Sequence, residues 1–129
     1  MRKFLLDTNI WIDFLNKQDY AINLINKLTN RDKIFSSVLT VTELRAGWTD
    51  EKAKHFLSIF NAYTKIVTIS TEIAEMAGKF LYNYKRKGIS LSTVDALIAA
   101  TAILEKCQLV TRNKKDFPMP EIKFYPIEE

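Results

Sequence analysis

The chain has 129 residues, a length that suits one domain spanning residues 1–129 and able to bury most of its apolar side chains in a single core. Hydrophobic residues make up 47% and charged residues 26%, the balance of a globular protein, which excludes a disordered or fibrous class. The net charge of +4, with a pI near 9.2, favours a polyanionic partner such as nucleic acid, and it gains meaning only if the acidic residues are gathered in one place.

Lys3 to Leu6 is a short apolar run that stops at Asp7-Thr8-Asn9, polar residues suited to a strand end followed by a helix cap. Ile10, Phe14 and Leu15 form one helical face, and Ala21, Ile22, Leu24, Ile25 and Leu28 form another after Asp19-Tyr20. Lys33 to Ser37 is the second expected strand. Leu39 to Ala46 is a short helix closed by Gly47 in a left-handed C-terminal position. Asp50 is placed to cap the next helix, whose face is Ala53, Phe56, Leu57 and Phe60.

Lys65 to Ile69 reads as a third strand, and Ser70-Thr71 can cap a long helix carrying Ile73, Ala77, Phe80, Leu81 and Tyr84, with Gly88 at its end. Thr93 to Lys106 is a helix with hardly a polar face, expected to be packed on several sides. Leu109-Val110-Thr111 supplies another strand, and Lys123-Phe124-Tyr125 a last short one beyond Pro118 and Pro120. Strands separated by helices argue for a three-layer α/β/α domain, with a central, mostly parallel sheet of four to five strands. Sites in such sheets form at the carboxyl ends of the strands.

The apolar start of the chain is cut short by Asp7 before it reaches the length of a secretory apolar segment, and no later run is long enough to span a bilayer. A soluble, cytoplasmic protein is expected. The single cysteine, Cys107, lies in an apolar stretch and reads as a buried free thiol, in keeping with a reducing compartment.

Three acids fall at helix starts or strand ends, and a fourth lies in a loop. Asp7 follows the first strand. Glu43 closes Thr40-Val41-Thr42-Glu43 and Asp95 closes Ser92-Thr93-Val94-Asp95, both matching the helix capping box. Asp116 lies in the loop after the fourth strand, where Asn113 is a second oxygen donor and where pairing with Lys114 or Lys115 is the alternative. Each acid alone can be read as a cap or a solvated side chain. As a set they point to one edge of the sheet, where carboxylates held together repel unless a cation neutralises them. Oxygen donors select Mg2+ or Mn2+ over zinc, and His55 and Cys107, the only examples of their types, form no competing set.

These residues resemble the PIN-domain ribonucleases, specifically the VapC-type toxins of toxin–antitoxin pairs. Asp7-Thr8-Asn9-Ile10 looks like the family's first motif and Thr42-Glu43-Leu44-x-x-Gly47 like its second. Ser92-x-x-Asp95-Ala96-Leu97-Ile98-Ala99 looks like the third, and Val110-Thr111-Arg112-Asn113-x-x-Asp116-Phe117 like the fourth. The resemblance implies metal-site roles for Asp7, Glu43 and Asp95. In some members the fourth acid falls where Asn113 stands, leaving Asp116 to hold the metal or its water shell. Thr8 and Thr111 are implied hydroxyl contacts.

The resemblance also implies magnesium-dependent cleavage of structured RNA, transfer or ribosomal, by attack of a metal-activated water on a phosphodiester. A small VapB-type antitoxin and a homodimer are the implied protein partners. Arg112, Lys114 and Lys115 flank the fourth motif as candidates for RNA phosphate contacts, and Lys85-Arg86-Lys87 is a weaker candidate that the helix dipole alone explains. Trp11 and Trp48 could stack on bases or bind an antitoxin helix, with core or dimer packing as the alternative. A receiver-type signalling domain would need an acid directly after the third strand, where Ser70-Thr71 stand instead. A non-catalytic RNA-binding or scaffold protein of the same fold, or a housekeeping RNA-processing nuclease, is the remaining alternative.

Overall fold

The computed structural model describes residues 2–29 and 33–127. Four strands, β1 (Lys3–Leu6), β2 (Lys33–Ser37), β3 (Lys65–Val67) and β4 (Gln108–Val110), form one sheet in the order β3-β2-β1-β4. All three pairings are parallel. Six helices connect them: α1 (Thr8–Leu15), α2 (Asp19–Thr29), α3 (Val38–Arg45), α4 (Asp50–Tyr63), α5 (Thr71–Arg86) and α6 (Thr93–Leu104).

The two-residue alternation of strand side chains builds the three layers. Phe4, Leu6 and Val110 join one core with residues of the first four helices, among them Trp11, Leu24, Leu44 and Phe60. Leu5 and Leu109 face the other core, with Ala77 and Phe80 of α5 and Ile98 and Ala99 of α6. Because β1 has neighbours on both sides and helices on both faces, Phe4, Leu5 and Leu6 are all fully buried. That placement explains a continuous apolar run where an edge strand would alternate. The nearly all-apolar α6 is likewise buried at Ala96, Ile98, Ala99, Ala100, Thr101 and Ala102.

Several local expectations are corrected. Helix α3 begins at Val38, capped by Ser37, whose side chain accepts from the Leu39 N–H. Thr40 and Glu43 therefore lie inside the helix, and their capping-box reading fails. Gly47 does not adopt the left-handed conformation, which among the described glycines belongs to Gly88 alone. The turn after α3 is closed by short-range bonds, Gly47 N–H to the Leu44 carbonyl and Trp48 N–H to the Arg45 carbonyl, so no left-handed residue is needed there. Thr49, not Asp50, caps α4, accepting from the Lys52 N–H at 3.3 Å.

Helix α6 ends at Leu104 because Lys106 takes a left-handed conformation (φ 56°), which lets the Cys107 N–H reach back to the Ala102 carbonyl at 2.8 Å. The expected fifth strand at Lys123–Tyr125 is reduced to a single parallel bridge between Phe124 and Leu109. Cys107 is a buried free thiol, pushed up to about 11 by burial. Trp11 is wholly buried, with its ring edge against Phe60 and Phe14, whereas Trp48 is half-buried beside Phe56. Trp11 therefore serves the core. No described helix is long and apolar enough to cross a membrane.

Candidate active site

The strands end together at one edge of the sheet, and each of the acids singled out from the sequence is delivered there by a different connection. Asp7, directly after β1, is the N-cap of α1, so its backbone is fixed by two elements at once. Its Oδ1 accepts the Thr8 N–H at 2.9 Å, and its Oδ2 accepts the Thr111 hydroxyl at 2.8 Å and the Asn9 amide at 3.2 Å. The cap reading of Asp7 is borne out, and it spends only one oxygen on the helix, the other facing the segment after β4.

Glu43 projects from α3 and accepts the Thr8 hydroxyl at 2.6 Å. That hydroxyl has one proton, so the Thr40 hydroxyl, 2.9 Å away, donates to Thr8. A chain of hydroxyls thus runs from the buried Thr40 through the buried Thr8 to the exposed Glu43 carboxylate. Asp95 sits in the first turn of α6, where its N–H donates to the Ser92 cap at 3.0 Å. Asp116 ends a short 3-10 turn, Lys114–Asp116, that follows β4, and its N–H is held by the Asn113 carbonyl.

These side chains line one cavity of about 240 Å³ bounded by Asp7, Glu43, Asp95, Asn113 and Asp116, with Thr8 and Asn9 beside them and Ile12 and Val94 as its apolar wall. Asn113 and Asp116 both line this cavity, so its walls do not choose between them. Asp116 makes no ion pair with Lys114 or Lys115. The ion pairs among the described residues are Arg45–Asp50 and Arg112–Asp13.

Burial raises the Asp7 carboxyl above the ordinary aspartate range, the Thr111 hydroxyl and Thr8 N–H partly offset this, and repulsion from Asp95 and Glu43 raises it further. Burial likewise raises Asp95, its contact with Ser92 opposes the shift, and Asp116 and Glu43 add repulsion. A cation would relieve both effects. The donors are hard oxygens, whereas His55 is exposed on α4 against Phe56 and Cys107 lies before β4, at the far edge. Among the described residues no three acidic, histidine or cysteine side chains converge into a closed metal cage. The arrangement fits a small divalent ion that keeps several waters and takes only one or two carboxylates directly.

Thr111 is buried and its hydroxyl is fully used, donating to Asp7 and accepting from the Asn113 N–H at 3.1 Å and the Asn9 amide at 3.4 Å. Asn9 also accepts the Arg112 N–H at 3.3 Å. Asn9 and Thr40 are therefore members of the site that sequence reasoning missed. Asn9 stood inside the first motif, and Thr40 was visible only as a supposed cap. Of the basic residues, Arg112 pairs with Asp13 at 2.5 Å, the Lys114 ammonium lies 5.5 Å from the centre of the Phe124 ring, and Lys115 is exposed. The run Lys85-Arg86-Lys87 closes α5, with Arg86 over the Tyr82 ring and Lys87 over Tyr84, and none of the three lines the acidic cavity.

A family profile described as PIN domain matches residues 4–122. Ribonuclease VapC19 of Mycobacterium tuberculosis is 35% identical over 117 residues, covering 89% of this chain and 92% of that protein. Among solved structures, the chain is similar to one in the complex of VapBC2 from Rickettsia felis bound to a DNA fragment from their promoter, with a TM-score of 0.85 and 28% identity over 95% of this chain and 97% of that one. It is also similar to a chain of a toxin–antitoxin complex from Klebsiella pneumoniae, with a TM-score of 0.75 and 30% identity over 92% of this chain and 93% of that one.

Proposed function

The chain belongs to the PIN domain family, and from that membership we propose that it is a divalent-metal-dependent endoribonuclease, the toxin of a VapBC-type toxin–antitoxin pair. The observation that carries this reading is the convergence of Asp7, Glu43, Asp95 and Asp116 on one cavity at the carboxyl edge of a parallel sheet. Asp7 and Asp95 are the best placed to hold the ion, being the buried and half-buried acids whose charge is otherwise uncompensated. Glu43, Asp116 and Asn113 line the same cavity and would hold its water shell.

A bound Mg2+, with Mn2+ as substitute, supplies charge neutralisation at the phosphate and a water of lowered pKa. The chain's own groups do the positioning. Thr111 and Asn9 fix the Oδ2 atom of Asp7, and Thr8 fixes Glu43, so neither carboxylate needs to reorganise when RNA arrives. Arg112, Lys114 and Lys115 lie beside the acids and offset their repulsion of a polyanion.

The finer parts of the reading are structured RNA as substrate, transfer or ribosomal, a VapB-type antitoxin as partner, a homodimer and a cytoplasmic location, with residues 1–129 acting as one domain. Exposed Ile66, Tyr82 and Ile89 give protein partners apolar surface to cover.

The test is incubation of purified protein with total cellular RNA, with Mg2+ or with a chelator, followed by mapping of the new ends. Cleavage is expected with Mg2+ only, and the Asp7→Asn protein is expected to fold and to be inactive. Full cleavage by that variant would overturn the assignment of the site. Co-expression with the neighbouring small gene tests the partner, which is expected to co-purify and to suppress cleavage. Absence of such a gene would point to a housekeeping nuclease.

A further inference from the structure

Beside the acidic cavity, and sharing Asn113 with it, lies a second, open cleft of about 460 Å³ lined by Thr111, Arg112, Asn113, Lys114, Lys115 and Ile127. Three of its six residues are cationic and none is acidic. One of the cations is held in a way that ordinary surface arginines are not. Arg112 Nη1 donates to Asp13 Oδ2 at 2.5 Å, and the same oxygen accepts the Tyr20 hydroxyl. The Arg112 backbone N–H is fixed in turn by Asn9 Oδ1 at 3.3 Å.

Asp13 is on α1, Tyr20 on α2 and Arg112 after β4, so three separate elements meet at one guanidinium. The Asp13 side chain is only 14% exposed, while that of Arg112 is 46% exposed. The carboxylate is therefore committed to its two donors, whereas the arginine keeps a face open to solvent. A guanidinium carries five N–H donors. With Nη1 spent on Asp13, the remainder form a fixed fork suited to a phosphate. Burial and the Asp13 contact push the Tyr20 phenol up to about 12, so it stays a donor throughout the neutral range.

We propose that this cleft is a phosphate subsite for the nucleotide next to the scissile bond, and that Asp13, supported by Tyr20, is a positioning residue that presents Arg112 to it. The proposal rests on the ribonuclease reading for the identity of the strand, and on the shared wall at Asn113 for its nearness to the reacting phosphate. A free arginine loses side-chain entropy on gripping a phosphate, whereas one already held in place by Asp13 loses less. Lys115, exposed in the same cleft, adds a charge without a fixed geometry.

The test is binding of a fluorescent single-stranded RNA of mixed sequence, about a dozen nucleotides long, as a function of salt. It uses Asp95→Asn protein so that nothing is cut. Asp95 suits this purpose because its backbone bond runs to Ser92, within its own helix cap, and not to the cleft. Adding Arg112→Gln should weaken binding about fivefold and flatten the slope of log Kd against log salt by about 0.7, the contribution of one lost phosphate contact on a single strand.

Asp13→Ala removes a negative charge, which by charge alone would tighten RNA binding. The proposal requires weakening instead, by roughly twofold to fivefold, with Asp13→Asn in between. Tyr20→Phe changes no charge and should weaken binding in the same direction, which keeps the test decisive if Asp13→Ala melts early.

Tighter binding by Asp13→Ala, or an unchanged salt slope for Arg112→Gln, would overturn the proposal. The two readings separate cleanly. If wild-type protein cuts RNA while the Arg112 slope is unchanged, the subsite fails and the nuclease stands. If it cuts nothing while the slope flattens, the phosphate contact of Arg112 stands, but the nuclease reading fails and with it the placement of the cleft beside a scissile bond.

Discussion

The acidic cavity and the basic cleft are neighbours on the same edge of the sheet, yet they are built in opposite ways. In the cavity the Asp7 and Glu43 carboxylates are fixed by neutral hydroxyl and amide donors, Thr8, Thr111 and Asn9, and among the described residues no lysine or arginine pairs with any of the four acids. Their charge is left uncompensated, as a cation site requires. In the cleft the one cation held by a carboxylate is Arg112, whereas Lys114 only lies over the Phe124 ring and Lys115 is left to solvent. The contrast teaches that charge alone does not define either site. What distinguishes them is which charge has been left without a partner.

The largest expected effects come from breaking the acidic side. Asp7→Asn or Asp95→Asn should lower RNA cleavage by more than about 100-fold, beyond the ~10–100-fold typical of a residue that only supports a metal ligand. Steady-state rates at saturating Mg2+ measure this, and an effect below tenfold would remove the two acids from the site. Thr111→Val should fall within that ~10–100-fold band, because it keeps the volume while releasing Asp7 Oδ2. Raising Mg2+ should recover part of its loss.

Stability gives a third test, and its sign follows from the raised carboxyls. A carboxyl whose native pKa lies above its unfolded value favours folding when protonated. The penalty from Asp7 and Asp95 is therefore absent below the unfolded value of 3.8, grows as pH rises through it, and is complete above the raised native values. Metal-free Asp7→Asn protein should melt above wild type at pH 7, and the difference should shrink as the pH is lowered toward 4, because asparagine keeps the cap without the charge. Adding Mg2+ at a hundred times its Kd should stabilise wild type at neutral pH by about 2.7 kcal/mol. The Asn variant should gain less.

The smallest effects belong to the basic side. Lys115→Gln and Lys114→Gln should each raise KM by about twofold to fivefold at low salt, leave kcat nearly unchanged, and lose their effect at high salt. Lys114 should matter less than Lys115, since its ammonium already lies over Phe124. A fall in kcat of the same size would place these lysines at the reacting phosphate and blur the division between the two regions.

The layer architecture was legible in advance because it depends on periodicity: the continuous Phe4-Leu5-Leu6 run of a central strand and the nearly all-apolar α6 both declare burial on more than one side. Asp7, Asp95 and Asp116 were legible because they follow a strand or open a helix, and a parallel sheet brings those places together, whereas Glu43 reaches the same cavity from inside α3. Cap identities were less so. Helix α3 starts at Val38 rather than Leu39, and Thr49 rather than Asp50 caps α4, because in each case a hydroxyl, Ser37 or Thr49, reaches an unpaired N–H, an offset of one residue that pattern does not resolve.

The fold class, the acidic set and the lack of a histidine or cysteine set follow from residue type and spacing along the chain. Only the tertiary structure decided that Asn113 and Asp116 both reach the cavity, that Thr40 supports Glu43 through Thr8, and that Asp13 and Tyr20 hold Arg112. The reason is distance along the chain. Asp13 and Arg112 are 99 residues apart, and no local pattern carries information about a contact that exists only because β1 and β4 lie side by side.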